Sequence, residues 1–249
     1  MAEAGHSFLA RLGKTRLRPG GIEATNWLFE HVSFDKNKHI LEVACNQCTN
    51  AIALVSKTGC SITAVDLDKE VVELARNRVA EAGLSDKIKV ERANALKLPY
   101  PDQSFDVVIN EAMLTMLGDK QKIKAISEYY RVLKPGGILL THDVKLAEGE
   151  MTKVIEELQK AIHVPAKPHN ESDWREIFTK AGFEDLTVST GSMTLMDPIG
   201  MIKDEGLVRT LKIFKNAIKK ENRVYFKAMF HFFRTNKANL GYIAIVARK

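Results

Sequence analysis

The stretch His39–Cys48 is central to the fold, and it reads HILEVACNQC. Its first half is an apolar run of strand length, predicted as a strand over 39–44. Its second half is a polar loop, after which the spacing predicts a helix over 51–58 that ends near Gly59,. A strand followed at once by a helix is the first half of a βαβ unit.

The same alternation of strands and helices continues along the chain. Strand patterns occur at 39–44, 61–66, 87–92, 106–110, 138–143, 183–190 and 242–247. Helix patterns occur at 22–32, 51–58, 69–82, 122–133, 151–162, 172–181, 198–220 and 222–234. We therefore predict one α/β domain over residues 1–249, with a doubly wound, mostly parallel seven-stranded sheet. The helical stretch before the last strand is too long for a simple connection, so residues 191–238 are predicted to form a cap.

Composition excludes several classes of protein. The chain has no run of about 18 apolar residues, so we expect no membrane-spanning helix,. The N-terminus lacks the pattern of a secretory signal,. Three cysteines are too few for a disulfide framework, which favours a reducing cytoplasm,. The sequence does not indicate an oligomeric state.

The net charge of +6 is unevenly distributed along the chain. Residues 200–249 have a net charge of +9, and residues 1–199 have a net charge of −3. This asymmetry indicates either an anionic partner or a solvated helix face.

Polar residues follow four of the predicted strands, at the edge where open α/β sheets bind ligands. The segments concerned are Glu42–Cys48, 66–68, 93–95 and 110–113. An acidic residue about 20 positions after the first loop, here Asp66, can accept hydrogen bonds from a ribose. It could equally favour a helix N-terminus by its charge alone. Asn94 could contact a purine or cap a turn.

Five sequence blocks resemble the class I S-adenosylmethionine-dependent methyltransferases, in particular the small-molecule group that includes quinone-biosynthesis enzymes. They are ILEV (40–43), VDLD (65–68), NALKLPY (94–100), SFDVV (104–108) and RVLKPGG (131–137). The resemblance covers roughly residues 36–145, the expected cofactor-binding core. It implies a Rossmann-like methyltransferase fold, S-adenosylmethionine as cofactor, and transfer of a methyl group to a small acceptor, for which a hydrophobic molecule is one candidate.

The resemblance also implies a role for individual residues. Asp66 would bind the ribose, and Leu67, Asn94 and Ala95 would surround the adenine. Glu42 would help to orient the methionine end, and Glu111 would lie near the transferred methyl group. The full set of cofactor-binding candidates is Glu42, Ala44, Cys45, Asn46, Asp66, Leu67, Asn94, Ala95 and Asn110.

The first loop departs from the family pattern. Members typically have three glycines where this chain has Ala44, Asn46 and Cys48. Those glycines adopt positive φ and let the backbone approach the cofactor. Two hypotheses from different classes follow: an altered but working enzyme, or a non-catalytic binding protein that kept the fold. A third is an enzyme that uses a modified S-adenosylmethionine.

Glu111 and His142 are the candidate catalytic residues, because both end strands at this edge. His142 could act as a general base, or it could be structural. Glu111 could be a solvated loop carboxylate. The pair Cys45 and Cys48 could be a redox pair or half of a metal site, but a zinc site needs more ligands, so we predict no metal.

Four residues of the last predicted helix recur at helical spacing: Phe226, Met229, Phe230 and Phe233. This pattern favours the inner face of the cap; a face for peripheral membrane contact, a hydrophobic substrate or a nucleic acid is the alternative. The segment 110–113 lacks the Asn/Asp-Pro-Pro-aromatic loop of base-modifying amino methyltransferases, so a nucleic-acid partner is not favoured. The predicted partner is a small-molecule acceptor.

Overall fold

A computed structural model describes residues 3–249 and places seven strands of this part in a single sheet. The strands are β1 (His39–Val43), β2 (Ser61–Asp66), β3 (Ile88–Arg92), β4 (Phe105–Glu111), β5 (Leu133–Leu146), β6 (Asp185–Ser192) and β7 (Leu240–Arg248). Their spatial order is β3-β2-β1-β4-β5-β7-β6. Strands β1 to β5 pair in parallel, and β7 runs antiparallel between β5 and β6. The predicted mostly parallel, seven-stranded α/β sheet is confirmed.

Helices cover both faces of this sheet. They are α1 (Gly5–Leu12), α2 (Gly21–Glu30), α3 (Thr49–Thr58), α4 (Lys69–Glu81), α5 (Asp119–Val132), α6 (Thr152–Ile162), α7 (Glu171–Lys180), α8 (Pro198–Glu205), α9 (Leu207–Ala217) and α10 (Arg223–Thr235). Apolar side chains of α2, α3 and α4 pack on one face, and those of α5 and α7 pack on the other. The sheet is therefore doubly wound, with a buried core on each side.

Five helices form a further layer, which we call the outer layer: α1, α6, α8, α9 and α10. Phe8 of α1, Ile213 of α9 and Met229 of α10 are buried together in its core. Phe226 is also buried there, as the inner-face interpretation predicted. Helices α8 to α10 lie between β6 and β7, whereas α1 was not predicted.

The prediction of one helix over 198–220 is wrong. The segment forms two helices, α8 and α9, and Gly206 separates them with φ 76° and ψ 160°. Only glycine adopts this backbone region without strain, so the chain turns there. Across residues 3–249, no helix combines the length and the apolar character needed to cross a membrane.

Local contacts fix the edge of the sheet at which β1, β2 and β4 end. The Asp68 side chain accepts hydrogen bonds from the N–H groups of Glu70 and Val71, which caps α4 directly after β2,. Helix α3 begins at Thr49, immediately after the first loop. Both helices therefore start at the same edge, with their N-termini close to the polar loops.

Candidate active site

A cavity of about 250 Å³ opens at the carboxyl ends of β1, β2 and β4. We call it the polar cavity, because charged and amide side chains form much of its wall. Six predicted site residues line it: Glu42, Ala44, Cys45, Asn46, Asp66 and Glu111. The wall also contains residues that were not predicted, namely His6, Thr15, Leu17, Arg18, Val43, Gln47, Thr49, Asn50, Ala112, Met113 and Met116.

The first loop keeps the backbone shape of a glycine-rich loop without its glycines. Ala44, Asn46 and Cys48 have φ values of 56°, 47° and 54°, all in the left-handed region. Ala112, at the end of β4, also has a positive φ, 55°. A non-glycine residue there costs about 1 kcal/mol or more. Strained backbone is thus concentrated around the polar cavity.

Asp66 links the first loop to the start of α4. Its Oδ2 accepts a hydrogen bond from the Asn46 N–H at 3.1 Å, and its Oδ1 accepts one from the Asp68 N–H at 3.1 Å. One carboxylate therefore ties two loops of the cavity wall together. The side chain is partly exposed to the cavity, which leaves oxygen lone pairs for a ligand,.

Glu111 lies at the centre of a buried network. The Arg18 guanidinium is 3.0 Å from its Oε2, and the Thr25 hydroxyl donates to its Oε1 at 2.6 Å. The Asn50 amide also donates to the carboxylate, and His142 Nδ1 lies 3.1 Å from Oε1. Although burial opposes ionisation, Arg18 and these donors lower the pKa of Glu111 to about 2,. Glu111 is therefore an ionised anchor whose oxygens are already engaged.

Glu42 has the opposite environment from Glu111. It is buried, and its Oε2 has no hydrogen-bond partner among residues 3–249. Burial, together with the nearby Glu111 charge, raises the pKa of Glu42 to about 8, although Arg18 opposes the shift,. Glu42 is therefore largely protonated at neutral pH and faces the polar cavity with an unused oxygen.

His142 does not have the geometry of a general base for a substrate. The ring is fully buried, and the Gly20 N–H donates to its Nε2 at 2.9 Å. The proton therefore sits on Nδ1 and is donated to Glu111, so both nitrogens are used within the protein,. The structural interpretation fits this placement, and the base interpretation does not.

Four other predicted cofactor contacts lie outside the wall of the polar cavity. Leu67 is 57% exposed at the end of β2. Asn94 is exposed, and its side-chain oxygen accepts a hydrogen bond from the Leu96 N–H, which caps a turn. Ala95 follows it and is partly buried. Asn110 is fully buried below the first loop, where its amide donates to the Val43 carbonyl at 3.4 Å, so it lines no part of the cavity.

The two loop cysteines are free thiols. A hydrogen bond with Cys48 and burial raise the pKa of the Cys45 thiol, and so favour the form that is poor in redox exchange,. No group of three or more His, Cys, Asp or Glu side chains within residues 3–249 is arranged to hold a metal ion.

A second, mainly apolar cavity of about 80 Å³ adjoins the polar cavity. We call it the apolar chamber; its wall includes Leu9 of α1, Leu158 of α6 and Met229 of α10. Four residues line both cavities: His6, Leu17, Ala112 and Met116. The two cavities therefore meet at these residues.

His6 is the titratable side chain common to both cavities. Its Nδ1 is buried and has no hydrogen-bond partner among the described residues. Burial lowers the pKa of His6, and the nearby Asp66 charge opposes this only in part,. The ring is therefore neutral at physiological pH and able to accept a proton.

Sequence reasoning missed Arg18, Thr25, Asn50 and His6. Arg18, Thr25 and Asn50 contact Glu111 from segments far from it in sequence, and His6 reaches the site from α1. The sequence contained one signal for Arg18, namely Glu111 at the end of β4, because a buried carboxylate requires a cation from elsewhere in the chain.

Comparison of the sequence with known proteins finds relatives of this chain. A model of a family described as methyltransferase domain matches residues 40–137. An uncharacterized protein of Haemophilus influenzae is 51% identical over 99% of this chain and 98% of its own length. A demethylmenaquinone methyltransferase of Lactiplantibacillus plantarum is 30% identical over 48% of this chain and 50% of its own length. The chain spans about half the length of the curated methyltransferase relatives it matches.

The fold also has solved counterparts. The phosphoethanolamine N-methyltransferase 2 of Haemonchus contortus, in complex with S-adenosyl-L-methionine, superposes with a TM-score of 0.78 at 20% identity. The match covers 98% of this chain and 56% of that chain. At this identity the likeness establishes the fold alone.

The protonated state of Glu42 predicts a pH dependence of stability. Between its ordinary pKa of 4.5 and about 8, the folded protein holds a proton on Glu42 that the unfolded chain has lost,. The unfolding free energy should therefore fall as pH rises through this window, relative to the Glu42→Gln variant. Urea unfolding of both proteins across the window measures the difference. The control is Glu81→Gln on the exposed face of α4; equal pH profiles for wild type and Glu42→Gln would contradict the prediction.

The strained loop predicts a second stability effect. Ala44→Gly should raise the unfolding free energy by up to about 1 kcal/mol, because the relief of left-handed strain exceeds the entropic cost of glycine. Ala51→Gly, a matched change at a buried position of α3, should lower it by about 1 kcal/mol,. Urea denaturation distinguishes the two; a loss of stability in Ala44→Gly as large as in Ala51→Gly would contradict the strain at Ala44.

Proposed function

We propose that this chain, whose residues 40–137 match a methyltransferase-domain model, is a class I S-adenosylmethionine-dependent methyltransferase that transfers the methyl group of its cofactor to a small apolar acceptor. The observation that supports this most is the junction of the polar cavity with the apolar chamber at His6 and Met116. A charged cofactor fits the first cavity and an apolar molecule fits the second, so their reacting ends would meet there.

The residues of the polar cavity fit the polar end of the cofactor. Asp66 would accept hydrogen bonds from the ribose hydroxyls, while the left-handed turns at Ala44 and Asn46 bring the loop backbone close to the ligand. The unpartnered oxygen of Glu42 would accept a hydrogen bond from the ammonium group of the cofactor,. When bound, S-adenosylmethionine supplies a methyl carbon made electrophilic by its sulfonium.

The exposed residues beside this cavity fit the adenine. Leu67, 57% exposed, would lie against one ring face, and Asn94 and Ala95 would meet its edge. The Asn94 side chain already accepts the Leu96 N–H, so its backbone and amide N–H groups would be its remaining donors. The adenine would thus occupy the open part of the sheet edge.

Glu111 and His142 act, in this proposal, as positioning residues. Both have their polar atoms engaged within the protein, and together they hold Arg18 and the Gly20 backbone in place. In-line methyl transfer requires the nucleophile, the methyl carbon and the sulfur to be aligned in a site without water. The network of Glu111, His142 and Arg18 is rigid and has its charges paired, and it would support that alignment from below the junction of the two cavities.

His6 is the residue we assign to the acceptor. Its neutral imidazole lies where an acceptor in the apolar chamber would present its nucleophilic atom to the polar cavity. An acceptor that carries a hydroxyl must lose a proton as the methyl group arrives, and His6 would take that proton.

The backbone of the first loop supports a working ligand site over a loop that has lost its function. All three substituted positions keep positive φ at a cost in stability, which random decay of the loop would tend to remove,. The cost is understandable if the loop shape is needed for ligand binding.

Cofactor binding is tested by calorimetry with S-adenosylmethionine and S-adenosylhomocysteine. We expect saturable binding of both, weakened about tenfold or more in Asp66→Asn, because a charged acceptor for the ribose is lost. Asp68→Ser keeps a helix cap outside the cavity wall and should bind like wild type,. If neither compound binds to the wild-type protein at millimolar concentration, the proposed function is wrong.

The role of His6 is tested with para-alkylphenols as apolar hydroxyl acceptors and a radiolabelled methyl donor. His6→Gln should lower kcat by about a hundredfold. It should also remove the fall in rate at acid pH, whose midpoint in the wild-type protein lies below the ordinary histidine pKa of 6.5,. Cofactor affinity should not change. His231→Gln, an exposed change in α10, is the control; an unaltered rate profile in His6→Gln would exclude the base role.

A further inference from the structure

The exposed apolar side chains of this protein are concentrated in one region. Nine large apolar residues are prominently exposed within the described chain, and seven of them lie between residues 199 and 224. We call the part of this region on α8, on α9 and at Ile218, which directly follows α9, the docking face. Its apolar members are Ile199, Ile202, Leu207, Val208, Leu211 and Ile218.

The helical periodicity of α9 shows that this exposure is systematic. Thr210, Ile213 and Ala217 are buried against the outer layer and lie on one side of the helix. Val208 and Leu211, spaced by three residues, lie on the opposite side and are 82% and 60% exposed,. Helix α9 therefore has two apolar sides, and its own core explains only one of them.

Positive charge accompanies the exposed side. Lys212, Lys215 and Lys219 are exposed on the same side of the segment and take part in none of the ion pairs found within residues 3–249. Residues 200–249 have a net charge of +9, so the surrounding surface is basic as well. A helix side that combines exposed apolar side chains with lysines is typical of helices that lie at a membrane interface.

We propose that the docking face binds peripherally to the surface of an anionic lipid bilayer. The apolar side chains enter the boundary between headgroups and acyl chains, and the lysines contact anionic headgroups. A second copy of the chain fits less well, because pairing would bring two basic faces together.

A third cavity lies beside the start of α8 and shares two lining residues with the apolar chamber. It measures about 280 Å³ and is lined by Met193, Met196, Asp197, Pro198, Phe230, Phe233, Arg234 and Lys237. Pro198 directly precedes Ile199 of the docking face, and Met193 and Phe233 also line the apolar chamber. An acceptor dissolved in the bilayer would thus reach His6 through this cavity and the apolar chamber; this step rests on the proposed function, whereas docking itself does not.

Vesicle co-sedimentation with the full-length chain tests the proposal. We expect binding to vesicles of phosphatidylcholine mixed with phosphatidylglycerol, weakened by salt, and much weaker binding to phosphatidylcholine alone. The double variant Val208→Ser with Leu211→Ser should bind about tenfold or more weakly. Lys212→Gln with Lys215→Gln should bind about tenfold more weakly and depend less on salt. Leu74→Ser, a similarly exposed leucine of α4, is the matched control.

Two outcomes would overturn the docking proposal: no binding to anionic vesicles by the wild-type chain, or equal binding by wild type and both double variants. Self-association that is abolished by the apolar double variant, without vesicle binding, would assign the face to a second copy instead. Calorimetry with S-adenosylmethionine on the same samples reports folding and the proposed function separately. Failure of vesicle binding with intact cofactor binding would overturn the docking surface alone.

Discussion

The ion pair between Arg18 and Glu111 is almost entirely removed from water, and it joins the N-terminal segment to the end of β4. A buried carboxylate that lost its cation would cost about 3–5 kcal/mol, so this pairing fixes where the segment crosses the sheet edge. Thr15 and Leu17, just before Arg18, are held as part of the cavity wall. Helix α1 precedes them, and it places His6 between the polar cavity and the apolar chamber. The geometry of the junction therefore depends on one charge pair.

The same pair separates the behaviour of two neighbouring carboxyl groups. Arg18, His142 and Thr25 lower the pKa of Glu111 to about 2, whereas burial beside that charge raises the pKa of Glu42 to about 8,. The orphaned oxygen of Glu42 and the positive φ of Ala44 lie at the same place. Unsatisfied polar atoms and backbone strain both reduce stability, and their concentration at a cavity is what a ligand-binding site requires.

The features that could be predicted from the sequence depend on local patterns, and those that could not depend on long-range contacts. The strands and most helices follow from alternation and periodicity, which are local properties, and so does the position of Asp66 after β2. Arg18 and His6 were missed because their importance depends on partners that only the tertiary fold brings near. His142 was predicted as a candidate base from its position, but the bonds from Gly20 and to Glu111 occupy both nitrogens. A residue's position in a motif does not reveal whether its polar atoms are already used.

Buried ion pairs and hydrogen bonds join the outer layer to the N-terminal segment. Lys14 Nζ lies 3.3 Å from Asp204 of α8, and Glu205 accepts hydrogen bonds from the backbone N–H groups of Thr15 and Arg16 at 2.8 and 2.9 Å. Separating these groups without water would leave charges unpaired, so a movement of α8 must take the N-terminal segment with it. That segment also contains Arg18, which is fixed to the sheet. Helix α8, which contains part of the docking face, is therefore connected to the side chains of the polar cavity through charge pairs as well as through packing.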